Sequence, residues 1–152
     1  MVNKGKTWSN TMNKVLVTGS QGYIGSVLLP KLIERNYDIT AFDTGFFDDG
    51  ELYKSDKINF IKKDMRNFDY KLLDGVDSVV HLASIANDPF GKLSPERIYD
   101  PITNYSFSLA LECKKRNINF IWPSSCSVYG ISDGFLDENS PLNPQTPYSS
   151  NK

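Results

Sequence analysis

At 152 residues the chain is long enough for one domain with its own hydrophobic core. Its 17 basic and 18 acidic side chains leave a formal charge of -1, which excludes the strongly basic field of a nucleic-acid or anionic-membrane binder. Two cysteines without C-x-x-C spacing, Cys113 and Cys126, and a single histidine, His81, exclude a disulfide framework and a Cys/His metal site. Reduced thiols, no apolar run of about 18 residues and no signal-peptide pattern lead to the expectation of a soluble, cytoplasmic protein with no membrane or nucleic-acid partner.

Residues 1–11 are polar and aperiodic and are expected to form a disordered lead before a domain over 12–152. From there short β-branched runs alternate with longer amphipathic segments, the signature of βαβ units. Strands are predicted at 14–18, 38–42, 58–61, 78–82 and 118–122, with helices near 22–35 and 95–116 and a short helical turn at 70–73. Pro95 suits the first turn of its helix, where a missing N–H costs nothing. The strands VLV and VVHL are apolar throughout, so they read as buried on both faces, with helices on each side of a parallel sheet. The predicted fold class is α/β, a Rossmann-like doubly wound sheet of about five strands. His81, inside such a strand, reads as a core residue. The proline-rich stretch 131–147 reads as a long functional loop.

The first strand runs into Thr18-Gly19-Ser20-Gln21-Gly22-Tyr23-Ile24-Gly25 and then a helix. Gly19 permits the tight turn, Gly22 lets the backbone approach a pyrophosphate, and Gly25 lets the helix pack on the strand. The helix N-terminus adds free N–H groups and a partial positive charge. Asp43, at the end of the second strand, is placed to accept hydrogen bonds from the adenosine ribose hydroxyls and to repel a 2′-phosphate. No arginine follows it in Thr44-Gly45-Phe46-Phe47, which favours NAD over NADP. Phe46 and Phe47 read either as a cover for the adenine or as an exposed loop plug.

Tyr148 and Lys152 are four apart, on one face of a helix starting near Pro147. A free phenol ionises near pH 10 and is a poor base until a nearby ammonium stabilises its anion. Lys152 can supply that charge and hold the nicotinamide ribose. Ser125 ends the fifth strand, at the sheet edge that opens onto a ligand crevice, where its hydroxyl can donate to a substrate oxygen.

These motifs together resemble the extended short-chain dehydrogenase/reductase family, in its NAD-dependent epimerase/dehydratase branch, from Met12 to Lys152. The family's T-G-x-x-G-x-x-G matches Thr18 to Gly25, and its G-D-I-R-D-like segment matches Lys63-Asp64-Met65-Arg66-Asn67. H-x-A-A matches His81-Leu82-Ala83-Ser84, S-S-x-x-V-Y-G matches Ser124 to Gly130, and P-x-x-P-Y-x-x-x-K matches Pro144 to Lys152. The resemblance implies that Tyr23 and Ile24 contact the pyrophosphate and that Asp64 and Met65 contact the adenine. It places Leu82, Ala83 and Ser84 on the nicotinamide side, and equates Asn104 with a cofactor-binding asparagine of the fourth helix. Ser125, Tyr148 and Lys152 would be the catalytic set and would also touch NAD.

Members that dehydrate sugars resemble T-D-E-V-Y-G or T-S-E-V-Y-G at this strand end, with a glutamate where this chain has Ser127. The acid-free form is closer to 4-epimerases and to keto-reductases. The resemblance also implies further strands and a substrate domain beyond Lys152, so the chain is expected to be the N-terminal part of a longer enzyme, with exposed apolar surface at the fifth strand. The expected function is NAD-dependent epimerisation of a nucleotide-linked sugar, in a protein whose full-length form would be a homodimer. A sugar dehydrogenase or keto-reductase of the same family, and a non-catalytic dinucleotide-binding module or inactive fragment, are the alternatives.

Overall fold

The structure, a computed structural model, describes residues 13–47, 53, 55–85 and 94–152; the lead 1–11 lies outside the described residues. Five strands, β1 (Lys14–Thr18), β2 (Asp38–Asp43), β3 (Ile58–Lys62), β4 (Ser78–His81) and β5 (Asn119–Ile121), form one sheet in the order β3-β2-β1-β4-β5. Every pairing is parallel, with Val17 beside Ala41 on one flank and beside Val80 on the other. The order reverses between β1 and β4, and such a switch point opens a crevice at the carboxyl ends of the strands.

Two helices account for the burial of both sheet faces. Helix α1 (Tyr23–Glu34) covers Val15, Val17, Ile39 and Ala41, packing Leu29 against them. Helix α2 (Pro95–Lys115) covers the opposite face, where Leu109 and Cys113 meet Leu16, Phe42, Val79 and Ile118. Successive strand residues thus enter different cores because the side-chain period of a strand is two. Each fully buried aliphatic or aromatic side chain here is worth about 1.5–3 kcal/mol relative to exposure.

A third helix, α3 (Pro147–Asn151), has only five residues. It forms because its start is closed by a reciprocal cap: Thr146 Oγ1 accepts the Ser149 N–H at 3.1 Å, and Ser149 Oγ accepts the Thr146 N–H at 2.9 Å. Pro147 occupies its first turn, as the sequence predicts. The strand and helix boundaries fall within a residue or two of expectation, and residues 70–73 form the short 3-10 turn. β5 is shorter than predicted, since Ile118 sinks into the core under α2 before pairing begins and Trp122 leaves the ladder. It is also an edge strand, and Ile121, on the face away from α2, is 51% exposed. The expected apolar surface is therefore present at that edge.

Candidate active site

The turn from β1 into α1 sets the floor of the crevice. Gly19 has φ +69°, and a Cβ there would lie 2.5 Å from the Ala83 nitrogen, so the turn packs directly on the chain leaving β4. A Cβ on Gly25 would meet the Ser20 oxygen at 2.4 Å, whereas one on Gly22 would touch nothing closer than the Gly19 oxygen at 3.3 Å. Gly19 and Gly25 are thus demanded by the fold, and Gly22 leaves open the side that faces the crevice. No side chain caps α1, which leaves its first-turn N–H groups for an anion.

Asp43 closes this turn from β2. One carboxylate oxygen accepts the Gln21 N–H at 3.0 Å, and the other accepts the Gly45 N–H at 3.0 Å and the Thr44 hydroxyl at 3.3 Å. The carboxylate is anchored at the rim of a cleft of about 420 Å³. Gly19, Gly22, Asp43, Asp64, Met65, Leu82, Ala83 and Ser84 all line that cleft, together with Phe46 and Phe47. Asp64 caps the 3-10 turn Met65–Asn67 and pairs with Arg66, whose Nη2 donates at 2.6 Å. The hydrogen bond from Arg66 holds the Asp64 carboxyl below the usual range.

Seven of the residues expected to meet the cofactor, Tyr23, Ile24, Gly25, Asn104, Ser125, Tyr148 and Lys152, lie outside that lining. The side chains of Tyr23 and Ile24 are exposed on the first turn of α1 and do not line the cleft, so only their main-chain N–H groups remain to offer a phosphate. Asn104 is exposed on α2 and also stands outside the lining. The face of α2 toward the cleft carries Arg97, Ile98, Pro101, Ile102 and Tyr105, and a helix places position 104 about 100° from position 105. Tyr105 and Arg97 escaped the sequence reading, although the spacing 97, 98, 101, 102, 105 is the helical period that marks them as one face.

Ser125 lies on the turn after β5, and Tyr148 and Lys152 on and just past the neighbouring helix α3. Ser125 Oγ accepts the Ser127 N–H at 3.3 Å and the Ser127 hydroxyl at 2.9 Å. Both bonds use oxygen lone pairs, so the Ser125 proton stays available to donate outward. Lys152 Nζ lies 5.9 Å from the centroid of the Tyr148 ring. The Ser124 hydroxyl donates to the Lys152 carbonyl at 3.3 Å, tying the strand-end turn to the end of α3. Burial holds the Lys152 ammonium below its ordinary pKa. Cys126, next to Ser125, is exposed, whereas Cys113 is buried in the core and burial pushes its thiol up to about 11.

Beneath both groups sits His81, buried as expected. Its Nδ1 is 2.6 Å from Thr18 Oγ1 and its Nε2 is 2.8 Å from Ser106 Oγ. Thr18 Oγ1 also accepts the Ala83 N–H at 3.4 Å, and with two lone pairs and one proton it can pair with either tautomer of the ring. Burial, and then the charge of Lys152, push its pKa down to about 4.

The family model described as NAD dependent epimerase/dehydratase matches residues 15–152. The chain belongs to that family. It is 30% identical over 155 residues to an uncharacterized UDP-glucose epimerase of Bacillus subtilis, covering 91% of this chain and 48% of the relative. A UDP-N-acetylglucosamine 4-epimerase from Methanobrevibacter ruminantium M1, solved in complex with UDP-N-acetylmuramic acid, superposes with a TM-score of 0.83 at 31% identity, over 92% of this chain and 47% of that one. A UDP-glucuronic acid 4-epimerase from Bacillus cereus, solved with NAD, gives 0.76 at 32% identity, over 91% and 48%. The chain therefore spans about half the length of the relatives it matches. NAD is the family's cofactor, and the open side of Gly22, the uncapped start of α1 and the anchored Asp43 carboxylate fit it.

Proposed function

We propose that these residues form the cofactor-binding part of an NAD-dependent nucleotide-sugar 4-epimerase. The observation that carries this reading is Lys152 beside Tyr148 in the same domain as a cleft lined by the fingerprint glycines and Asp43. Bound NAD supplies a hydride acceptor that can return the hydride within the same turnover. Gly22 and the α1 N-terminus would hold the pyrophosphate, and Asp43 the adenosine ribose. Tyr148 would take the proton from the sugar hydroxyl, its anion stabilised by Lys152, while Ser125 donates to the same oxygen. Ser127 supports epimerisation over dehydration: it bonds to Ser125 and carries no acid with which to expel water. We assign the complete protein to the cytoplasm, as a homodimer acting on a nucleotide-linked sugar.

The test uses the protein as its gene encodes it, given NAD and a panel of UDP-sugars. Interconversion of 4-epimers without net NADH is expected, and Tyr148→Phe should slow it by about a hundredfold or more. Stoichiometric NADH would instead mark a dehydrogenase, and full turnover in Tyr148→Phe would remove the tyrosine from the mechanism.

A further inference from the structure

Past His81 the chain leaves the β4 ladder and lines the cleft with Leu82, Ala83 and Ser84. Something other than strand pairing must fix this segment. The Leu82 N–H reaches the Thr18 oxygen at 2.9 Å, and the Ala83 N–H reaches Thr18 Oγ1 only at 3.4 Å. The stronger hold on Ala83 comes from the helix opposite, where the Tyr105 hydroxyl donates to the Ala83 carbonyl at 3.1 Å. The Tyr105 ring is itself set in place, edge-on to His81 with centroids 5.9 Å apart and planes at 86°. The His81 ring is locked in turn by Thr18 and by Ser106, the residue after Tyr105. A closed circuit of hydrogen bonds and ring contacts thus runs from α2 through β4 and β1 and back to α2.

We propose that Tyr105 is a positioning residue for the cofactor, its hydroxyl setting the plane of the Ala83 peptide against which the nicotinamide-bearing half of the dinucleotide lies. This rests on the reading that the cleft holds NAD as described above. Burial keeps the phenol protonated well above its ordinary pKa, so the donor persists at every working pH. Gly19 shows why the plane matters: its backbone already sits against Ala83, and a rotated carbonyl would turn into the space the dinucleotide must pass through.

The test is calorimetric binding of NAD and of AMP, which carries the adenosine half alone, to the chain and to its Tyr105→Phe and Asp43→Ala variants. Tyr105→Phe removes one oxygen and keeps the ring, so folding is preserved. It is expected to weaken NAD roughly fivefold, the worth of one neutral hydrogen bond, with AMP affinity unchanged and the melting temperature lowered by only a few degrees. Asp43→Ala should weaken both ligands. If Asp43→Ala weakens NAD and Tyr105→Phe does not, the positioning role is wrong and the cofactor reading stands. If Tyr105→Phe weakens NAD and AMP alike, the hydroxyl is only structural and the proposal fails. Unchanged NAD affinity in both variants would overturn the cofactor assignment itself.

Discussion

Asn151 donates from Nδ2 to the main-chain oxygen of Tyr99 at 3.1 Å, and the same amide group reaches Thr103 Oγ1, so one buried side chain fastens α3 to α2. It stands beside Lys152 and three residues after Tyr148. A five-residue helix has almost no stability of its own, and the alignment of tyrosine and lysine depends on this fastening.

Asn151→Ala is therefore expected to loosen α3 far more than the rest of the domain. Its Oδ1 has no partner among the described residues, so removing the side chain also relieves an unsatisfied acceptor and the global loss should stay near 1 kcal/mol. Amide hydrogen exchange should rise about tenfold across Ser149 to Lys152 with β1 and β4 unchanged. Uniform acceleration through the sheet would show that the bond supports the whole core instead.

The three fingerprint glycines should separate by what their Cβ atoms meet. Gly19→Ala and Gly25→Ala both run into main-chain atoms closer than 2.6 Å, and backbone cannot yield as a side chain does. Each should cost about 2 kcal/mol or more in stability, read as a lower melting temperature. Gly22→Ala should melt within a degree or two of the parent, because 3.3 Å from the Gly19 oxygen needs only a slight shift, and should lose NAD affinity. A Gly22→Ala variant that bound NAD normally would move the pyrophosphate elsewhere.

Acid sensitivity should centre on His81. Its folded pKa, about 4, lies below the ordinary imidazole value of 6.5, so the unfolded chain binds the extra proton first. Its stabilising contribution is complete above the unfolded pKa and declines as pH falls from 6.5 toward about 4, by up to about 3 kcal/mol. Asp64, Glu112 and Asp137, all with lowered folded values, add their losses below that window. Urea midpoints measured between pH 7 and 4 should drop accordingly, and His81→Gln should flatten the slope over the upper part of the range. An unchanged slope would place the titrating group elsewhere.

Much of this was legible from local pattern. The short β-branched apolar runs located all five strands, and the glycine spacing after β1, with Asp43 ending β2, located the cleft. Tyr148 and Lys152 came together because four residues make one helical turn. The sequence did not reveal the network around His81, because Thr18, His81 and Ser106 lie on three elements and meet only through the sheet register. Nor did it separate Asn104 from Tyr105. Matching a motif fixes position along the chain, whereas the facing side chain follows from the rotation of α2 on the sheet. Asn151 was passed over because its polar group is buried by a helix distant in sequence.

The two thiols differ in a way that is useful at the bench. Cys113 is sealed in the core with its thiol pushed up to about 11, while Cys126 is exposed on the turn beside Ser125. A maleimide dye should therefore attach at one position only, without any cysteine being engineered in or out. That position adjoins the hydroxyl proposed to meet the substrate, so the labelled wild-type chain would carry its own optical sensor for ligands arriving at the end of the sheet.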